Sequence, residues 1–575
     1  MVNLIIDNQL VQVPEGTTIL EAAMKAGIQI PTLCASLELH HTPGACRVCV
    51  VEVERSRNLV AACVYPVAEG MKVKTNSERV RRARHSVVEF LLSDHPRDCN
   101  ICQKHGNCEL QKVAEIVGVR DIRVPCTDFT THRIDDSSPS LIRDASKCIN
   151  CLRCVAACSE VQSVFCLTPE GRGFNSKVVP HMGTPLAEAV CTFCGQCAVV
   201  CPTGAIIERD EVDKVLAAIE DPSKHVVVQE APAIRAQLGE EFGMPPGTLV
   251  TGKMISALRR LGFDKVFDTN FTADLTIIEE GNELLKRVNT GGVLPLITSC
   301  SPGWIKFIEH FYPQLLPNLS TCKSPQQMFG ALVKTYYAKW AGIDPKDIFS
   351  VSIMPCTAKK YEASRPEMNS SGYRDVDVVL TTRELGRMIR QAGIDFKNLP
   401  HGEFDAPMGQ YTGAGTIFGA TGGVMEAALR TVYAVVTGSN MPSLDIGPVR
   451  GLEGVKEAAL QVGALGEVRV AVAHGLGNAR KLLDKIVAGT ANYHFIEIMA
   501  CPGGCIAGGG QPLPVSNEKR RLRAEALYHD DRDIQKFRQS HENPAVKELY
   551  KKFLKEPLGE MSHKLLHTHY VKRGV

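Results

Sequence analysis

Two closely spaced cysteine runs constrain this chain more than any other feature. The segments CINCLRCVAACSE and CTFCGQCAVVCPTG both have the spacing C-x2-C-x2-C-x3-C. In this spacing three thiolates hold one 4Fe-4S cluster and the fourth thiolate holds the neighbouring cluster. Zinc or a group of free thiols is the alternative, but the motif is doubled and Pro202 follows the second run. The predicted ligand sets are Cys148, Cys151, Cys154 and Cys201 for one cluster, and Cys158, Cys191, Cys194 and Cys197 for the other.

The overall cysteine distribution favours metal ligation. The 575 residues include 22 cysteines, of which 17 precede residue 202. A large chain with no secretory leader and no apolar run of membrane length is expected to be soluble and cytoplasmic, where thiols stay reduced. The net charge of +2 gives no electrostatic argument for nucleic acid or a membrane surface. Two further cysteines, Cys126 and Cys166, are interpreted as structural.

The segment CASLELHHTPGACRVCVVEVE begins the chain's first cysteine set, which AACVYP completes. Its C-x11-C-x2-C spacing with a remote fourth thiol suits a 2Fe-2S cluster in the loops of a β-grasp fold. Structural zinc is the alternative, and the ferredoxin-type runs downstream disfavour it. The predicted ligands are Cys34, Cys46, Cys49 and Cys63.

The segment HPRDCNICQKHGNC supplies an imidazole and three thiols. Taken alone, one histidine with three cysteines predicts structural zinc. His105 competes with His95 for the imidazole position, and His95 by itself is more typical of a helix end. The candidate ligands are His95, Cys99, Cys102 and Cys108.

Periodicity along the chain predicts several domains. Alternating runs in NLIID and VQVP predict a hairpin, and TTILEAAMKAG predicts a helix behind a threonine cap. RVRRARHSVVEFLLSDH is also predicted to be helical, and the Asp, Ser and Pro-rich segment 127–140 is a candidate linker. From about residue 210 strands, loops and helices alternate, which predicts an α/β region. The glycine cluster in HGLGNA lacks the full dinucleotide fingerprint and is rejected as a nicotinamide site.

Five cysteines remain beyond residue 210, in TSCSPGW, STCKS, MPCTAKK and CPGGC. Four of them on separate loops of an α/β domain could hold one more cubane. The glycines of CPGGC allow backbone to approach such a cluster closely. Lys359, three residues after Cys356, is costly to bury without an anionic partner, and a solvated surface lysine is the alternative.

These motifs resemble those of the iron-iron (FeFe) hydrogenases. TSCSPGW is similar to the family's Thr-Ser-Cys-Cys-Pro-Gly-Trp, and MPCTAKKYEA and EIMACPGGCIAGGGQP are further family motifs. The resemblance covers essentially the whole chain and is greatest to multi-cluster catalytic subunits of NAD(P)-linked or electron-bifurcating complexes. It implies a 4Fe-4S cluster rather than zinc at His95 and its three cysteines.

The resemblance implies an α+β multidomain protein with four domains. A β-grasp 2Fe-2S ferredoxin domain would span 1–78, and a 4Fe-4S domain with one histidine and three cysteine ligands would span 79–126. A bacterial 2x(4Fe-4S) ferredoxin domain is expected at 138–209, and an α/β hydrogenase domain at 210–575.

The resemblance also implies the active-site cofactor, the H-cluster. It consists of a 4Fe-4S cubane joined through a cysteine to a diiron unit with CO, cyanide and azadithiolate. By position Cys356, Cys501 and Cys505 ligate the cubane, with Cys505 bridging to the diiron unit, and Lys359 donates to a cyanide. The residues expected to line the pocket are Pro232, Gln326, Met354, Phe418 and Met499.

A proton relay is implied as well. In the family it runs from a cysteine through the positions of Glu280, Ser320 and Glu283. The two glutamates are three residues apart and therefore share one helix face. Without the resemblance an exposed acidic turn would be the expectation for them.

One departure from the family motif concerns the relay directly. Where the family has two adjacent cysteines, first the proton donor and then the cubane ligand, this chain has Cys300 and Ser301. Three interpretations stay open: Cys300 is the donor and the ligand is lost, Cys300 becomes the fourth ligand, or Ser301 ligates as an alkoxide. The preference of a cubane for four thiolates favours Cys300 as ligand. Cys322 is a further substitute, although a small buried apolar role is expected for it.

The function implied is reversible oxidation of H2 to protons and electrons, with the electrons passed through accessory clusters. Because the chain has no nicotinamide or flavin fingerprint, reduction of NAD(P) would require flavin- and NAD(P)-binding iron-sulfur partner subunits and a thioredoxin-like 2Fe-2S subunit, with ferredoxin as a further acceptor. Three alternatives are a stand-alone ferredoxin-dependent H2-evolving enzyme, a non-catalytic electron-relay subunit like that of respiratory complex I, and an H2 sensor.

Overall fold

The chain forms two compact units in a computed structural model that describes residues 1–124 and 134–574. The N-terminal unit comprises Met1–Val161, Phe165–Ala189 and Val200–Ile207, and the C-terminal unit comprises Gln162–Val164, Val190–Val199 and Glu208–Val575. Most of the second cysteine run therefore belongs to the C-terminal unit. The four predicted domain boundaries stay predictions, because this division into two units is coarser.

The N-terminal unit begins with a β-grasp sheet. Its five strands are β1 (Val2–Ile6), β2 (Gln9–Val13), β3 (Val50–Val53), β4 (Val60–Ala61) and β5 (Lys72–Lys74), in the order β2-β1-β5-β3-β4. The predicted hairpin is confirmed, since β1 and β2 pair antiparallel. Helix α1 (Ile19–Lys25) starts with a capping box in which the Thr18 side chain accepts from Glu21 N and Glu21 accepts from Thr18 N. This reciprocal pair satisfies two backbone donors that a helix start leaves free.

Short elements complete the N-terminal unit, and two of them cross a boundary between the units. They are α2 (Glu78–Ser93), α3 (Glu109–Val117), β6 (Leu141–Arg143), α4 (Arg153–Ala156), β7 (Leu167–Glu170), β8 (Lys177–Pro180), α5 (Gln196–Val200) and β9 (Ile206–Glu208), of which α5 and β9 cross. Helix α2 confirms the helix predicted there.

The predicted linker at 127–140 is only partly described. Residues 127–133, and Cys126 before them, lie outside the described residues. The remainder is packed, because Asp135 forms a β-bridge with Arg143 and the side chains of Ser138 and Ser140 are buried. This half is therefore a structured part of the N-terminal unit and not a linker.

Two four-stranded sheets organise the C-terminal unit. The first is fully parallel in the order β11-β10-β13-β14, and the second has the order β12-β17-β16-β15 with only β15 antiparallel. This confirms the predicted α/β region. The strands are β10 (His225–Glu230), β11 (Lys265–Asp268), β12 (Leu296–Ile297), β13 (Ile348–Met354), β14 (Val378–Thr381), β15 (Val455–Gln461), β16 (Glu467–His474) and β17 (Phe495–Met499).

Helices pack on both sheets. The helices are α6 (Val212–Glu220), α7 (Thr251–Leu261), α8 (Thr269–Thr290), α9 (Pro302–Phe311), α10 (Pro325–Leu332), α11 (Ala338–Ala341), α12 (Ala358–Ser364), α13 (Thr382–Gln391), α14 (Gly413–Ile417), α15 (Gly423–Thr437), α16 (Leu476–Val487), α17 (Asn517–His529), α18 (Pro544–Leu549) and α19 (Glu560–Leu566). The longest, α8, is capped at its start by the Asp268 side chain, which accepts from Asn270 N, and stops at Gly291 with φ +69°. Among the described residues no helix is both long and apolar enough to cross a membrane.

Helix α10 approaches a neighbouring loop so closely that its glycine has no room for a side chain. A Cβ added at Gly330 would lie 2.3 Å from the backbone oxygen of Asp375. Backbone cannot yield as a flexible side chain does, so the helix would have to move. Gly330 thus fixes the position of the helix that carries Gln326.

Replacing Gly330 by alanine is expected to destabilise the protein by about 1–3 kcal/mol, the usual cost of overpacking. Gly447→Ala is the matched control, because a Cβ there meets nothing within 4 Å. Thermal unfolding of the anaerobically purified full chain, followed by circular dichroism, measures both variants. Equal unfolding midpoints in the two would contradict the packing argument.

Candidate active site and cluster sites

Four strand ends of the C-terminal unit lead to one cavity. The chain leaves β10 into Ala231 and Pro232, β12 into the segment with Cys300, β13 into Cys356, and β17 into Cys501. In open α/β sheets ligands bind outside the carboxyl ends of the strands, where connecting loops diverge. The cavity has a volume of about 70 Å³, which is several times the space that one water molecule requires.

Four cysteines line this cavity: Cys300, Cys356, Cys501 and Cys505. Burial raises the pKa of Cys356 to about 11 and that of Cys505 to about 12, and it raises the pKa of Cys501 as well. Thiols in such surroundings ionise only when a cation compensates the charge. The donor set therefore fits an iron-sulfur cluster, whose irons supply that positive charge.

The glycines around Cys505 serve close backbone packing. Gly504 has φ +91°, and a Cβ there would lie 2.7 Å from Thr421 N. A Cβ at Gly508 would lie 2.2 Å from the backbone oxygen of Pro355. The loop after β17 can thus reach the loops that carry Phe418 and Cys356 only with glycine at these positions.

The predicted pocket residues all line the same cavity. They are Pro232, Gln326, Met354, Phe418 and Met499. The buried Oε1 of Gln326 has no hydrogen-bond partner among the described residues. A buried acceptor left in this way costs free energy unless a further group satisfies it, which suits a cavity that receives a polar ligand.

Lys359 is buried, with 9% exposure, so the alternative of a solvated surface lysine is wrong. Its Nζ donates to Glu362 Oε2 at 2.9 Å and to the Cys300 backbone oxygen at 3.0 Å. Glu362 also accepts from Gln326 Nε2 at 3.1 Å. The anionic partner that the sequence argument required is therefore present in the protein itself.

Sequence reasoning assigned no role to Glu362, although it lies inside the quoted motif MPCTAKKYEA. Its spacing of three residues from Lys359 was the available signal, because side chains at i and i+3 meet on one helix face.

A buried carboxyl pair lies beyond Cys300 on helix α8. Glu280 is 2% exposed and Glu283 is 7% exposed, so the alternative of an exposed acidic turn is wrong. Burial raises the pKa of Glu280 to about 8, and its hydrogen bond with Ser320 acts in the opposite direction. Ser320 Oγ also lies 3.3 Å from Glu283 Oε2, and Glu283 pairs with Arg287 at 2.6 Å. The three predicted relay residues are thus in hydrogen-bond contact.

Cys300 and Ser301 have different surroundings. Burial raises the pKa of Cys300 far above its usual value, and the neighbouring Glu280 carboxyl raises it further. Ser301 Oγ accepts from Ala500 N at 3.2 Å, which places it beside the residue that precedes Cys501. Cys300 therefore neighbours the relay, and Ser301 neighbours the loop of a cluster-type cysteine.

The second cysteine run packs directly on these active-site loops. Thr357 Oγ1 donates to the Phe193 backbone oxygen at 2.8 Å, and Gln196 Nε2 donates to the Ala507 backbone oxygen at 3.1 Å. A Cβ at Gly195 would lie 2.4 Å from Thr357 Oγ1. Within the C-terminal unit, Cys191, Cys194 and Cys197 thus lie on a segment held tightly against the cavity loops.

One cavity in the N-terminal unit brings a complete predicted ligand set together. It is lined by Cys148, Cys151, Cys154 and Cys201. The interleaved set expected for one ferredoxin-type cluster is therefore assembled in space. The other set is divided between the units, because Cys158 belongs to the N-terminal unit. Cys166 is buried, and its backbone N donates to Cys158 Sγ at 3.3 Å.

The first cysteine set is buried in the β-grasp loops. Cys34, Cys46, Cys49 and Cys63 are all at most 7% exposed. Cys46 N donates to Cys34 Sγ at 3.4 Å, and the thiols of Cys34 and Cys63 are hydrogen bonded. Four buried thiols gathered in the loops of one small sheet match a site built for a shared cluster.

The imidazole site favours His95. Burial lowers the pKa of His95 to about 4, and its buried Nδ1 has no hydrogen-bond partner among the described residues. His105, the competing imidazole, is exposed. A neutral, partly buried ring whose buried nitrogen is unsatisfied fits a metal ligand.

Comparisons with known proteins show which protein families the chain matches. Residues 224–509 match the profile of the iron only hydrogenase large subunit, C-terminal domain, and residues 517–573 match that of the iron hydrogenase small subunit. Further matches are the 2Fe-2S iron-sulfur cluster binding domain at 1–78, the NADH-ubiquinone oxidoreductase-G iron-sulfur binding region at 84–123 and the 4Fe-4S dicluster domain at 147–205.

Full-length relatives decide the family. The chain is 52% identical over 584 residues to the NADP-reducing hydrogenase subunit HndD of Solidesulfovibrio fructosivorans, covering 100% of this chain and 99% of that protein. It is 41% identical over 577 residues to iron hydrogenase 1 of Clostridium pasteurianum, covering 100% of both. The chain belongs to the FeFe hydrogenase family.

A solved FeFe hydrogenase has the same catalytic fold. The structure of a variant of [FeFe]-hydrogenase HydA1 from Chlamydomonas reinhardtii matches with a TM-score of 0.58 and 46% identity, covering 64% of this chain and 100% of that chain. The predicted family, fold class and enzyme class, an oxidoreductase acting on H2, are therefore confirmed. The 575-residue chain also has accessory 2Fe-2S and 4Fe-4S domains, which precede its catalytic domain.

Replacing Glu280 by glutamine is expected to make the stability of the protein fall less steeply as the pH rises. The pKa of Glu280 is about 8 in the folded chain and about 4.3 when a glutamate is exposed. Between these values the folded state binds the extra proton, so stability falls as the pH rises through this window. Glutamine carries no such proton.

Thermal unfolding midpoints at about pH 6 and about pH 8.5 test this linkage. The midpoint should fall less for Glu280→Gln than for the unchanged protein. Other carboxyls with a raised pKa, such as Glu497, are present in both proteins. An equal fall of the unfolding midpoint in the two proteins would therefore contradict the pKa assigned to Glu280.

Proposed function

We propose that this hydrogenase is a catalytic subunit that oxidises H2 reversibly and passes the electrons through its accessory clusters to partner subunits. The observation that carries the proposal is a single cavity lined by cluster-type thiols, one of which, Cys300, neighbours the buried carboxyl of Glu280. H2 oxidation yields protons and electrons together, so a site with separate routes for the two fits this reaction. Reduction of NAD(P), of ferredoxin or of both would follow on partners.

In this proposal Cys356, Cys501 and Cys505 would hold an H-cluster, the cubane joined to a diiron unit with CO, cyanide and azadithiolate, with Cys505 in the role of the bridging ligand. The H-cluster, when bound, supplies the metal centre at which H2 is split. The buried Lys359 ammonium would donate to a cyanide, and the unsatisfied Gln326 Oε1 would accept from the azadithiolate amine. The apolar wall would be formed by Pro232, Met354, Phe418 and Met499.

Cys300, Glu280, Ser320 and Glu283 would move the proton. The raised pKa of Glu280 keeps its carboxyl protonated near neutral pH, so it can both donate and accept. Ser320 links it to Glu283, whose partner Arg287 is 14% exposed at its side chain. The relay thus extends from the buried cavity wall toward solvent.

The surroundings of Cys300 and Ser301 favour alignment with the family motif position by position, in which Cys300 has the place of the proton donor and Ser301 that of the cubane ligand. Cys300 neighbours Glu280 and would be the proton donor, and Ser301 neighbours the Cys501 loop and would take the position of the fourth cubane ligand. This differs from the assignment that the thiolate preference favoured. A serine alkoxide is a harder donor than a thiolate and would lower the cubane potential.

We infer one 2Fe-2S cluster and three accessory 4Fe-4S clusters on the ligand sets named above. The set with Cys191, Cys194 and Cys197 would be adjacent to the H-cluster, because its segment is bonded to the cavity loops. Thiolate-held clusters in series conduct electrons without moving the protein.

The partners proposed are flavin- and NAD(P)-binding iron-sulfur subunits, with a thioredoxin-like 2Fe-2S subunit and ferredoxin as further candidates. The full-length similarity to a protein named as an NADP-reducing hydrogenase subunit supports this choice. We propose a cytoplasmic location, because a chain this rich in predicted iron-sulfur ligands requires a compartment that keeps thiols reduced.

The function is tested with anaerobically purified, maturated protein. Infrared bands of CO and cyanide together with viologen-linked H2 uptake are expected. Glu280→Gln should keep the infrared bands and lose about 100-fold or more of the H2 uptake, the usual effect of removing a general acid or base. The exposed Glu467→Gln serves as control. Absence of bands and uptake after verified maturation would refute the proposal.

The roles of Cys300 and Ser301 are tested on protein with its cubane and without the diiron unit. Ser301→Cys should raise the cubane potential in an EPR-monitored titration, because thiolate replaces alkoxide. Cys300→Ser should leave the cubane in place. Loss of the cubane in Cys300→Ser, with no potential shift in Ser301→Cys, would show instead that Cys300 is the fourth ligand.

A further inference from the structure

The hydrogen-bond chain of the relay does not stop at Glu283. The Thr321 hydroxyl lies 3.1 Å from Glu283 Oε2 and 2.8 Å from Nδ1 of His567. Nε2 of His567 lies 3.2 Å from Glu279 Oε2. A continuous path of groups that can exchange protons therefore leads from Glu283 to a histidine just after helix α19.

The Thr321 hydroxyl has one proton and two acceptors within reach, so it has two orientations. When Glu283 is ionised, the hydroxyl donates to Glu283 and accepts from His567 Nδ1–H. When Glu283 is protonated, the carboxyl donates to the hydroxyl, and the hydroxyl donates to His567 Nδ1. Hydroxyl protons rotate to suit their partners, and the two arrangements differ by one proton moved along the chain.

The hydrogen-bond partner of His567 Nε2 is a carboxylate. Burial alone would raise the pKa of Glu279, but hydrogen bonds from His567, Tyr550 and Leu558 N leave it lowered. Glu279 therefore stays ionised and stabilises a positive imidazole. The other titratable groups that face this histidine are Glu283, Cys322, Tyr550 and His563, and burial keeps Cys322 and Tyr550 neutral by raising the pKa of each.

His567 lies next to a solvent-exposed imidazole, that of His563. The side chain of His567 is 5% exposed, whereas His563 on helix α19 is exposed, and the two ring centres are 4.4 Å apart. Imidazoles change protonation near neutral pH and are common proton shuttles. The pair thus connects the buried chain with bulk water.

We propose that Thr321 and His567 form a second proton exit of this hydrogenase, which branches from the relay at Glu283 and reaches solvent past His563. The inference rests on the proposed relay through Glu280 and Glu283. It adds an exit that is separate from the direct contact of Glu283 with Arg287.

Each transfer in this exit conserves protons and charge. Protonated Glu283 gives its proton to the Thr321 oxygen while the Thr321 hydroxyl proton passes to Nδ1 of neutral His567. The products are the Glu283 carboxylate and a His567 imidazolium paired with Glu279. The imidazolium then loses its Nε2 proton past His563 to water, and exchange with water returns the Nδ1–H ring to the Nε2–H form that accepts the next proton. During H2 evolution the same steps run in reverse.

Thr321→Val tests the link, because valine keeps the shape of threonine and lacks the hydroxyl. H2 oxidation with saturating viologen should fall by about threefold to tenfold, less than the usual loss of a general base, since Glu283 keeps its direct route. Thr321→Ser should restore most of the rate. Thr290→Val, at an exposed threonine of helix α8, is the matched control. Exchange of D2 with solvent protons should fall in parallel, which separates proton transfer from electron transfer.

His567→Ala tests the exit independently of Thr321. Its H2 oxidation rate should be lowered and should rise with added imidazole, a response that a purely structural histidine would not give. Equal rates in Thr321→Val and Thr321→Ser, or no rescue by imidazole of a slowed His567→Ala, would overturn the second exit. If the unchanged protein oxidises H2 and Glu280→Gln does not, such a result refutes only the branch; if the unchanged protein is inactive, the proposed function fails first.

Discussion

Buried cysteine thiols are the constraint on which the C-terminal unit depends. Cys356, Cys501 and Cys505 lie at strand ends where burial raises the pKa of each thiol. Such groups are stable as thiolates only beside positive charge, and metal binding therefore becomes part of the free energy of folding. The glycines at positions 504 and 508 follow from the same requirement, because loops that meet around one small site must approach at backbone distance.

A second constraint is the burial of charge around this cavity. Lys359 would be costly in an apolar wall, and Glu362 offsets that cost while also holding the amide of Gln326. The two carboxyls of α8 have different partners. Glu280 makes no ion pair among the described residues and stays protonated because its pKa is raised, whereas Glu283 is paired with Arg287. Two glutamates one helical turn apart thereby have different partners, and the raised pKa of Glu280 suits a group that both accepts and donates a proton near neutral pH.

Local signals in the sequence predicted much of this structure. The capping box of Thr18 and Glu21, the β1–β2 hairpin and the alternation beyond residue 210 depend on neighbouring residues, and all three are confirmed. The pocket residues were found through the family resemblance and lie in one cavity. Thr321 and His567 were missed because their partners become neighbours only through the fold, whereas Glu362 was missed although its spacing of three residues from Lys359 is a local signal. The packing of residues 134–140 was missed because a polar composition resembles that of a linker.

The division of the second cysteine run has a consequence for where this protein can be shortened. Val190–Val199 belongs to the C-terminal unit, and Phe193, Gln196 and Thr357 make hydrogen bonds there. A cut at the end of the cysteine-rich region, near residue 210, would remove a layer of the catalytic unit's own wall and leave the Thr357 hydroxyl without its acceptor. Any minimal catalytic fragment of this chain must therefore either keep that layer or replace the surface beneath it with polar residues.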